Sequence, residues 1–116
     1  MSPPRLRPEL WVKAILRLCA TRDLPAFVVR KGDADAGAVL LKLNRLEHGS
    51  LVFSQTRDID GNMRWIHATA AGTVTDAEAE GVIARHIDRD PDLWVVEIED
   101  RLGRHPIDDW PLPPER

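Results

Sequence analysis

The sequence is poor in cysteine and has no long apolar run. Cys19 is the single cysteine among 116 residues, so an intramolecular disulfide cannot form and a reducing compartment is expected. No apolar stretch approaches the roughly 20 residues of a membrane span. Charges at Lys13 and Arg17 also make the N-terminal segment a poor secretory signal. These absences predict a cytoplasmic protein with no membrane segment.

The charge balance is mildly acidic and gives no overall attraction to polyanions. The formal net charge is −3 at pH 7. Acidic neighbours accompany the candidate basic residues, which are Arg57, Arg64, Arg85, Arg89, Arg101 and Arg104. Such mixed charge favours a solvated surface over a nucleic-acid interface. Nucleic acid is therefore the weakest partner hypothesis, in which Trp65 beside Arg64 would supply a stacking surface.

Motifs for nucleotide binding, nucleophilic hydrolysis and zinc are also missing. There is no GxSxG, GxxxxGK[ST] or GxGxxG, and the four histidines show no HxH or HExxH spacing. Two acidic stretches, at 33–37 and 58–62, resemble calcium loops but do not continue with the residues that such loops require. Polar turns are predicted there instead. We therefore predict no metal ion and no cofactor, and the pattern leaves open whether the protein is an enzyme.

Apolar periodicity and capping residues predict two helices. Pro8 suits the first turn of a helix that extends to about Arg22 and has an almost wholly apolar surface. Thr75 and Glu78 match the capping box, so a second helix is predicted from there to about Arg89.

Five apolar segments predict strands at 26–30, 38–46, 51–55, 63–69 and 93–99. Short polar turns separate the first four, which favours an antiparallel meander, because parallel pairing would need longer crossovers. Two apolar-striped helices pack most simply on one face of such a sheet. The prediction is a single α+β domain of residues 1–109 in the order α-β-β-β-β-α-β, followed by a proline-rich C-terminal tail at 110–116.

The strand at 93–99 is predicted to be the one on which the other elements pack. One of its sides is wholly apolar and carries Trp94, Val96 and Ile98. The other side starts apolar and ends in two carboxylates, Glu97 and Glu99. The strand is therefore expected to extend from the interior to the surface.

The acidic end of this strand is the first candidate for chemistry. Glu97 and Glu99 share one face, about 7 Å apart, and His105 follows a short distance along the chain. Such carboxylates could hold a hard cation or act as acid and base. In the competing interpretation they are solvated and pair with neighbouring arginines.

Binding candidates come from the last residues of the chain. Arg101 and Arg104 follow the acidic strand, and Trp110 stands among prolines with little apolar sequence to support it. Such a tryptophan either folds back onto the sheet or anchors a partner chain.

Three segments resemble a known protein family. They are PRLRPELWVKA at 4–14, FVVRKGDADAG at 27–37 and DPDLWVVEIEDR at 90–101. The pattern is similar to a family of small bacterial proteins catalogued as domain of unknown function 1491, over about residues 4–109, and DPDLW is its most specific part. The resemblance implies a compact bacterial single-domain protein and supplies no catalytic residue.

Three function hypotheses follow in order of preference. The first is a non-enzymatic module that binds a protein partner or itself as a homodimer, because the first helix is nearly all apolar and catalytic signatures are missing. The second is a small metal-assisted hydrolase or nuclease that uses Glu97, Glu99 and His105. The third and weakest is nucleic-acid binding through surface arginines.

Overall fold

The computed structural model describes residues 7–57, 59–61, 63–69 and 72–104. These residues form two α-helices, one short 3-10 helix and five β-strands. In chain order they are α1 (Pro8–Thr21), β1 (Ala26–Arg30), β2 (Val39–Asn44), the 3-10 helix (Leu46–His48), β3 (Ser50–Arg57), β4 (Met63–His67), α2 (Asp76–Arg89) and β5 (Trp94–Glu99). The predicted α+β class with two α-helices and five strands is confirmed, and the order along the chain differs from the predicted one by the additional 3-10 helix between β2 and β3. The predicted tail at 110–116, together with His105 and Trp110, lies outside the described residues.

Local signals explain where both helices begin. Pro8 occupies the first position of α1, where its missing N–H leaves no hydrogen bond unmade. The side chain of Thr75 accepts a hydrogen bond of 3.1 Å from the backbone N–H of Glu78, as expected of an N-cap. Both predicted helices are therefore confirmed to within a residue at each end. No helix among the described residues has the length and apolar character needed to cross a membrane.

The sheet is mixed, so the predicted four-strand antiparallel meander is wrong in part. The strand order is β1-β5-β2-β3-β4. Only β2, β3 and β4 form the meander, because β5 inserts between β1 and β2 and pairs parallel with β2 and antiparallel with β1. β5, the last of the described strands in sequence, is thus the second in the sheet.

The segment between β1 and β2 forms an arch over the start of β5 instead of a hairpin turn. The backbone N–H of Asp33 donates to the carbonyl oxygen of Asp92 at 3.1 Å, and the indole N–H of Trp94 donates to the carbonyl of Asp33 at 2.7 Å. Gly37 has a φ of +89°, and a Cβ there would collide with the carbonyl of Asp92. The polar-turn prediction at 33–37 is confirmed, since the Asp33 carboxylate accepts two backbone N–H groups within that turn.

The helices lie on opposite faces of the sheet, so the prediction that both pack on one face is wrong. On the α1 side, Ile15 packs with Leu41 and Val96. On the α2 side, Ile83 packs with Leu40 and Val95. The physical reason is that β2 and β5 are buried on both faces, a property typical of central strands that carry continuous apolar runs.

The predicted sides of β5 are confirmed. Trp94, Val96 and Ile98 all belong to the core on the α1 side. Leu93 and Val95 belong to the core on the α2 side. This strand is in contact with both cores, which is why the arch, both helices and both neighbouring strands are arranged around it.

Candidate functional site

The predicted acidic group does not stand free at the end of β5. Glu97 lies on the α2 side of the sheet, and its side chain is only 13% exposed. Its Oε2 accepts a hydrogen bond of 3.1 Å from the amide of Asn44, and its Oε1 lies 3.7 Å from Nζ of Lys42. Glu97 is therefore already neutralised by protein groups.

Lys42 is the centre of this cluster, and sequence reasoning missed it. Although it sits in the middle of β2 with a side chain that is 5% exposed, its Nζ contacts Asp76 at 2.6 Å and Glu80 at 2.7 Å on α2. Ser50 donates a further hydrogen bond of 3.3 Å to Asp76. The sequence contains a signal for this cluster, because Lys42 stands inside an otherwise apolar strand. A lysine buried in such a strand requires carboxylates paired with its ammonium group.

The electrostatics of the cluster keep Lys42 charged. Burial is the largest influence on its pKa and lowers it, but hydrogen bonds to Asp76 and Glu80 and the charge of Glu97 together leave the pKa above its usual value. The hydrogen bond from Lys42 likewise holds the pKa of Asp76 below its usual value. Lys42 is thus a fixed cation that joins α2 to the sheet and cannot act as a base or nucleophile near neutral pH.

Both predicted binding arginines are engaged with carboxylates. Arg104 donates from Nε at 3.0 Å and from Nη2 at 2.8 Å to the largely buried Asp100, and its hydrogen bonds hold the pKa of that carboxyl below its usual value. Nε of Arg101 lies 2.7 Å from Oε2 of Glu47. In the alternative interpretation, acidic residues at the end of β5 pair with neighbouring arginines. This alternative holds for Asp100, which follows Glu97 and Glu99 in the sequence.

The remaining predicted site residues are not brought together by the described structure. Glu99 stands opposite Asn44 in the parallel pair and is half-buried. Among the residues that the structure describes, no three His, Cys, Asp or Glu side chains converge in a way that could hold a metal ion. His105 and Trp110 lie outside the described residues, so the hydrolase or nuclease hypothesis stays a prediction.

The stacking surface suggested for nucleic acid is wrong. Trp65 is 1% exposed and packs edge to face against Trp11, with ring centroids 6.3 Å apart. Arg64 on β4 and Arg85 on α2 are both exposed, but they lie on different elements. The prediction that Trp65 and Trp94 are core residues is confirmed.

β1 carries the longest run of consecutive exposed large hydrophobic residues in the part of the chain that the structure describes. Three consecutive residues are substantially exposed there: Phe27 at 44%, Val28 at 38% and Val29 at 54%. Among the described strands β1 pairs only with β5, so no described strand covers its other side. Open edges with apolar side chains are templates for a further strand.

The backbone of β1 is oriented for such pairing. The N–H of Glu99 donates to the carbonyl of Pro25 at 2.9 Å, and Ala26 stands opposite Ile98. Because hydrogen-bonding direction alternates along an antiparallel strand, Ala26 and Val28 direct their N–H and C=O groups away from β5. None of the described residues forms a backbone hydrogen bond with that outer side.

Comparison with known proteins places the chain in a family. The family described as "Protein of unknown function (DUF1491)" matches residues 6–108. The chain belongs to the DUF1491 family. No curated protein matches it.

Solved structures share the fold. A crystal structure of a DUF1491 family protein from Caulobacter crescentus CB15 is 37% identical, with a TM-score of 0.83 over 94% of this chain and 100% of that one. An NMR structure of a DUF1491 family protein from the same organism is 38% identical, with a TM-score of 0.78 over 97% and 100%. A protein from A. tumefaciens, solved in solution, is 26% identical, with a TM-score of 0.71 over 83% and 86%.

The segments that carry the DUF1491 resemblance contact one another in the fold. The Asp90 carboxylate accepts the backbone N–H of Ala38 at 3.2 Å and that of Asp92 at 3.1 Å. Trp94 of the DPDLW stretch donates to Asp33 in the arch, as described above. This DPDLW stretch therefore has a structural role here, because it docks the arch on the start of β5.

Proposed function

We propose that this DUF1491 protein is a non-enzymatic interaction module that self-associates through the open edge of β1. The observation that carries the proposal is the run of Phe27, Val28 and Val29, all more than a third exposed on an edge whose outer side is unpaired in the described structure. Continuous exposed apolar residues on an edge strand favour strand addition.

The proposed partner is a second copy, because β1 is self-complementary. In an antiparallel pair with its two-fold axis at Val28, each Val28 faces its equivalent and Phe27 faces the partner's Val29. Val28 has its N–H and C=O on the outer side, so the central pair would form both backbone hydrogen bonds. The resulting apolar cross-strand pairs are of the kind that stabilise sheets.

The other sheet edge is the less suitable surface. On β4, the exposed apolar residue is Ile66, at 42%, and the exposed Arg64 lies two positions away on the same strand. Charged residues on an edge discourage pairing. β1 itself is only five residues long and has an irregular register between Val28 and Arg30. The dimer is therefore expected to be weak and concentration-dependent.

Light scattering coupled to size-exclusion chromatography tests the proposal over a range of loading concentrations. The mass is expected to rise from 13.1 kDa toward about twice that value with concentration. Val28→Lys, which places two like charges opposite each other, is expected to keep the protein monomeric. Ile66→Lys on the opposite edge is the matched control and is expected to leave the dimer intact.

Two results would count against this function. The first is a wild-type mass that stays at that of one chain up to the solubility limit. The second is dimerisation that is equally weakened by Val28→Lys and Ile66→Lys, since a general loss of stability would then explain it.

A further inference from the structure

A groove between α2 and the connection that precedes it lies away from both β1 and the Lys42 cluster. Its volume is about 460 Å³, within the range of small-ligand sites. The walls are mostly small or apolar and are formed by Ala68, Thr69, Val74, Ala77, Glu78, Gly81, Val82 and Arg85. The proposed dimer does not use this space, and three of its walls, Ala68, Val74 and Val82, also pack against the core on the α2 side.

Gly81 is the first sign that the groove is more than a packing defect. It lies inside α2, where glycine destabilises a helix relative to alanine. A close contact does not require it, because the nearest atom to a Cβ at this position would be Nη1 of Arg85, at 3.6 Å. The glycine therefore leaves open space on the groove side of the helix without helping the helix itself.

Thr69 supplies a second, independent sign. It lines the groove and is 2% exposed, yet its hydroxyl has no hydrogen-bond partner in the described structure. A buried hydroxyl without a partner is costly, and native proteins usually satisfy such groups with protein, water or ligand atoms. The oxygen has almost no accessible surface in this conformation, so a ligand oxygen in the groove would satisfy it after a rotation of the Thr69 side chain toward the groove.

Arg85 sets the charge that the groove prefers. Its guanidinium lies beside Gly81 and forms no ion pair with the described residues. An unpaired guanidinium next to apolar walls recognises a carboxylate through two parallel hydrogen bonds. Val82 and Val74 would then contact the apolar body of the ligand.

Glu78 restricts the ligand at the opposite end of the groove. It precedes Arg85 by seven residues, about 10 Å along the helix axis, and its Oε1 is 3.0 Å from the hydroxyl of Thr75. A second carboxylate extending toward Glu78 would be repelled. The groove is therefore suited to a ligand with one carboxylate and an apolar body.

We infer that this groove binds a small aliphatic monocarboxylate, with the carboxylate on Arg85, an oxygen near the Thr69 hydroxyl, and the chain over Gly81 and Val82. The inference is independent of self-association, because it uses no residue of β1.

Backbone amide chemical shifts of the full chain, titrated with hexanoate, provide the test. Saturable shifts confined to residues 68–69 and 77–85 are expected. Neutral 1-hexanol is expected to bind at least about tenfold more weakly than hexanoate, because it cannot form the charge-assisted pair with Arg85. The dicarboxylate adipate is expected to bind at least about tenfold more weakly as well, because Glu78 repels its second carboxylate.

Matched variants separate recognition from stability. Arg85→Gln is expected to weaken hexanoate binding about tenfold, whereas Arg17→Gln, at an exposed position of α1 on the other face of the sheet, leaves it unchanged. Gly81→Leu fills the groove and is expected to abolish binding, whereas Ala84→Leu does not. Thr69→Val is expected to weaken binding while preserving or raising thermal stability without ligand, since it removes a buried unpaired hydroxyl.

Three outcomes would overturn the inference. They are the absence of saturable shifts with hexanoate, equal affinity for 1-hexanol, and equal effects of Arg85→Gln and Arg17→Gln.

Discussion

Lys42 and Glu97 stand directly opposite each other in the parallel pair of β2 and β5, with Nζ 3.7 Å from Oε1 on the α2 side of the sheet. Two carboxylates from α2, Asp76 and Glu80, complete the surroundings of the same ammonium. The cluster therefore determines how α2 sits on the sheet as well as which strand neighbours β2.

Removing the charge of Lys42 should destabilise the fold strongly. Lys42→Met leaves Glu97 buried without its counterion, so we expect the free energy of unfolding to fall by about 2–3 kcal/mol. The loss is not larger because the other two carboxylates, Asp76 and Glu80, are largely solvated. Urea unfolding measures the change. Lys13→Met, which removes an exposed pair with Glu9 on α1, is the control and should change stability by less than about 1 kcal/mol.

The double variant Lys42→Met with Glu97→Gln distinguishes a buried charge from simple loss of packing. It should recover part of the stability that Lys42→Met alone loses, because an uncharged amide is less costly to bury than a carboxylate. If the two substitutions were strictly additive, Glu97 would not be coupled to Lys42.

Stability should fall in acid through Asp100. Its hydrogen bonds with Arg104 hold its pKa below the usual value of 3.8, so the unfolded state takes up a proton at higher pH than the folded state does. The stabilisation that Asp100 contributes is fully present above its usual pKa of 3.8. It is lost as the pH falls through the lower pKa that Asp100 has in the folded protein. Asp100→Asn should flatten this part of the curve in denaturant midpoints measured between neutral pH and strong acid. A curve with unchanged slope would exclude Asp100 as a source.

The arch over β5 should tolerate no side chain at Gly37. Gly37→Ala combines an unfavourable positive φ with a collision at the Asp92 carbonyl. Gly61 has a similar φ of +84°, but a Cβ at this position would meet no atom within 4 Å beyond its chain neighbours, so Gly61→Ala should cost about 1 kcal/mol from backbone strain alone. Chemical denaturation should show a clearly larger loss for Gly37→Ala. Equal losses would mean that the contact with Asp92 contributes nothing.

Cys19 should react slowly in the folded protein. Burial raises the pKa of its thiol to about 11, with a small opposing effect of Arg22, and the residue is 1% exposed. The thiolate that attacks disulfide reagents is therefore scarce as well as inaccessible near pH 8. The rate of labelling by an aromatic disulfide should rise by orders of magnitude in denaturant. Fast labelling of the folded protein would contradict the packing of α1 on the sheet.

Local elements could be predicted because their signals lie within a few residues. Pro8, the Thr75–Glu78 cap and the alternation along β5 each specify a conformation from neighbouring side chains alone. The interpretation of 33–37 as a polar turn was correct for the same reason, since Asp33 caps backbone groups two and three residues ahead.

Long-range pairing could not be derived in that way. A loop composed of glycine and aspartate suits a hairpin as well as an arch, and only the packing of Asp92 and Trp94 beneath it decides between them. The apolar residues on both sides of Val39–Leu43 did signal a doubly buried strand. That signal should have favoured helices on both faces of the sheet.

The candidate site was missed for a related reason. Glu97 was identified from its strand, but its partners Lys42 and Asn44 are 55 and 53 residues away in sequence. Their convergence depends on the parallel pairing of β2 with β5, which the meander prediction did not contain.

The place of β5 between β1 and β2 has a consequence during synthesis. While residues 94–99 are still untranslated, the slot between two apolar strands is vacant, and neither face of the sheet can close. The nascent protein therefore depends on its final strand for protection from misassociation, and mutations that delay the docking of that strand should lower cellular yield more than their effect on the finished fold suggests.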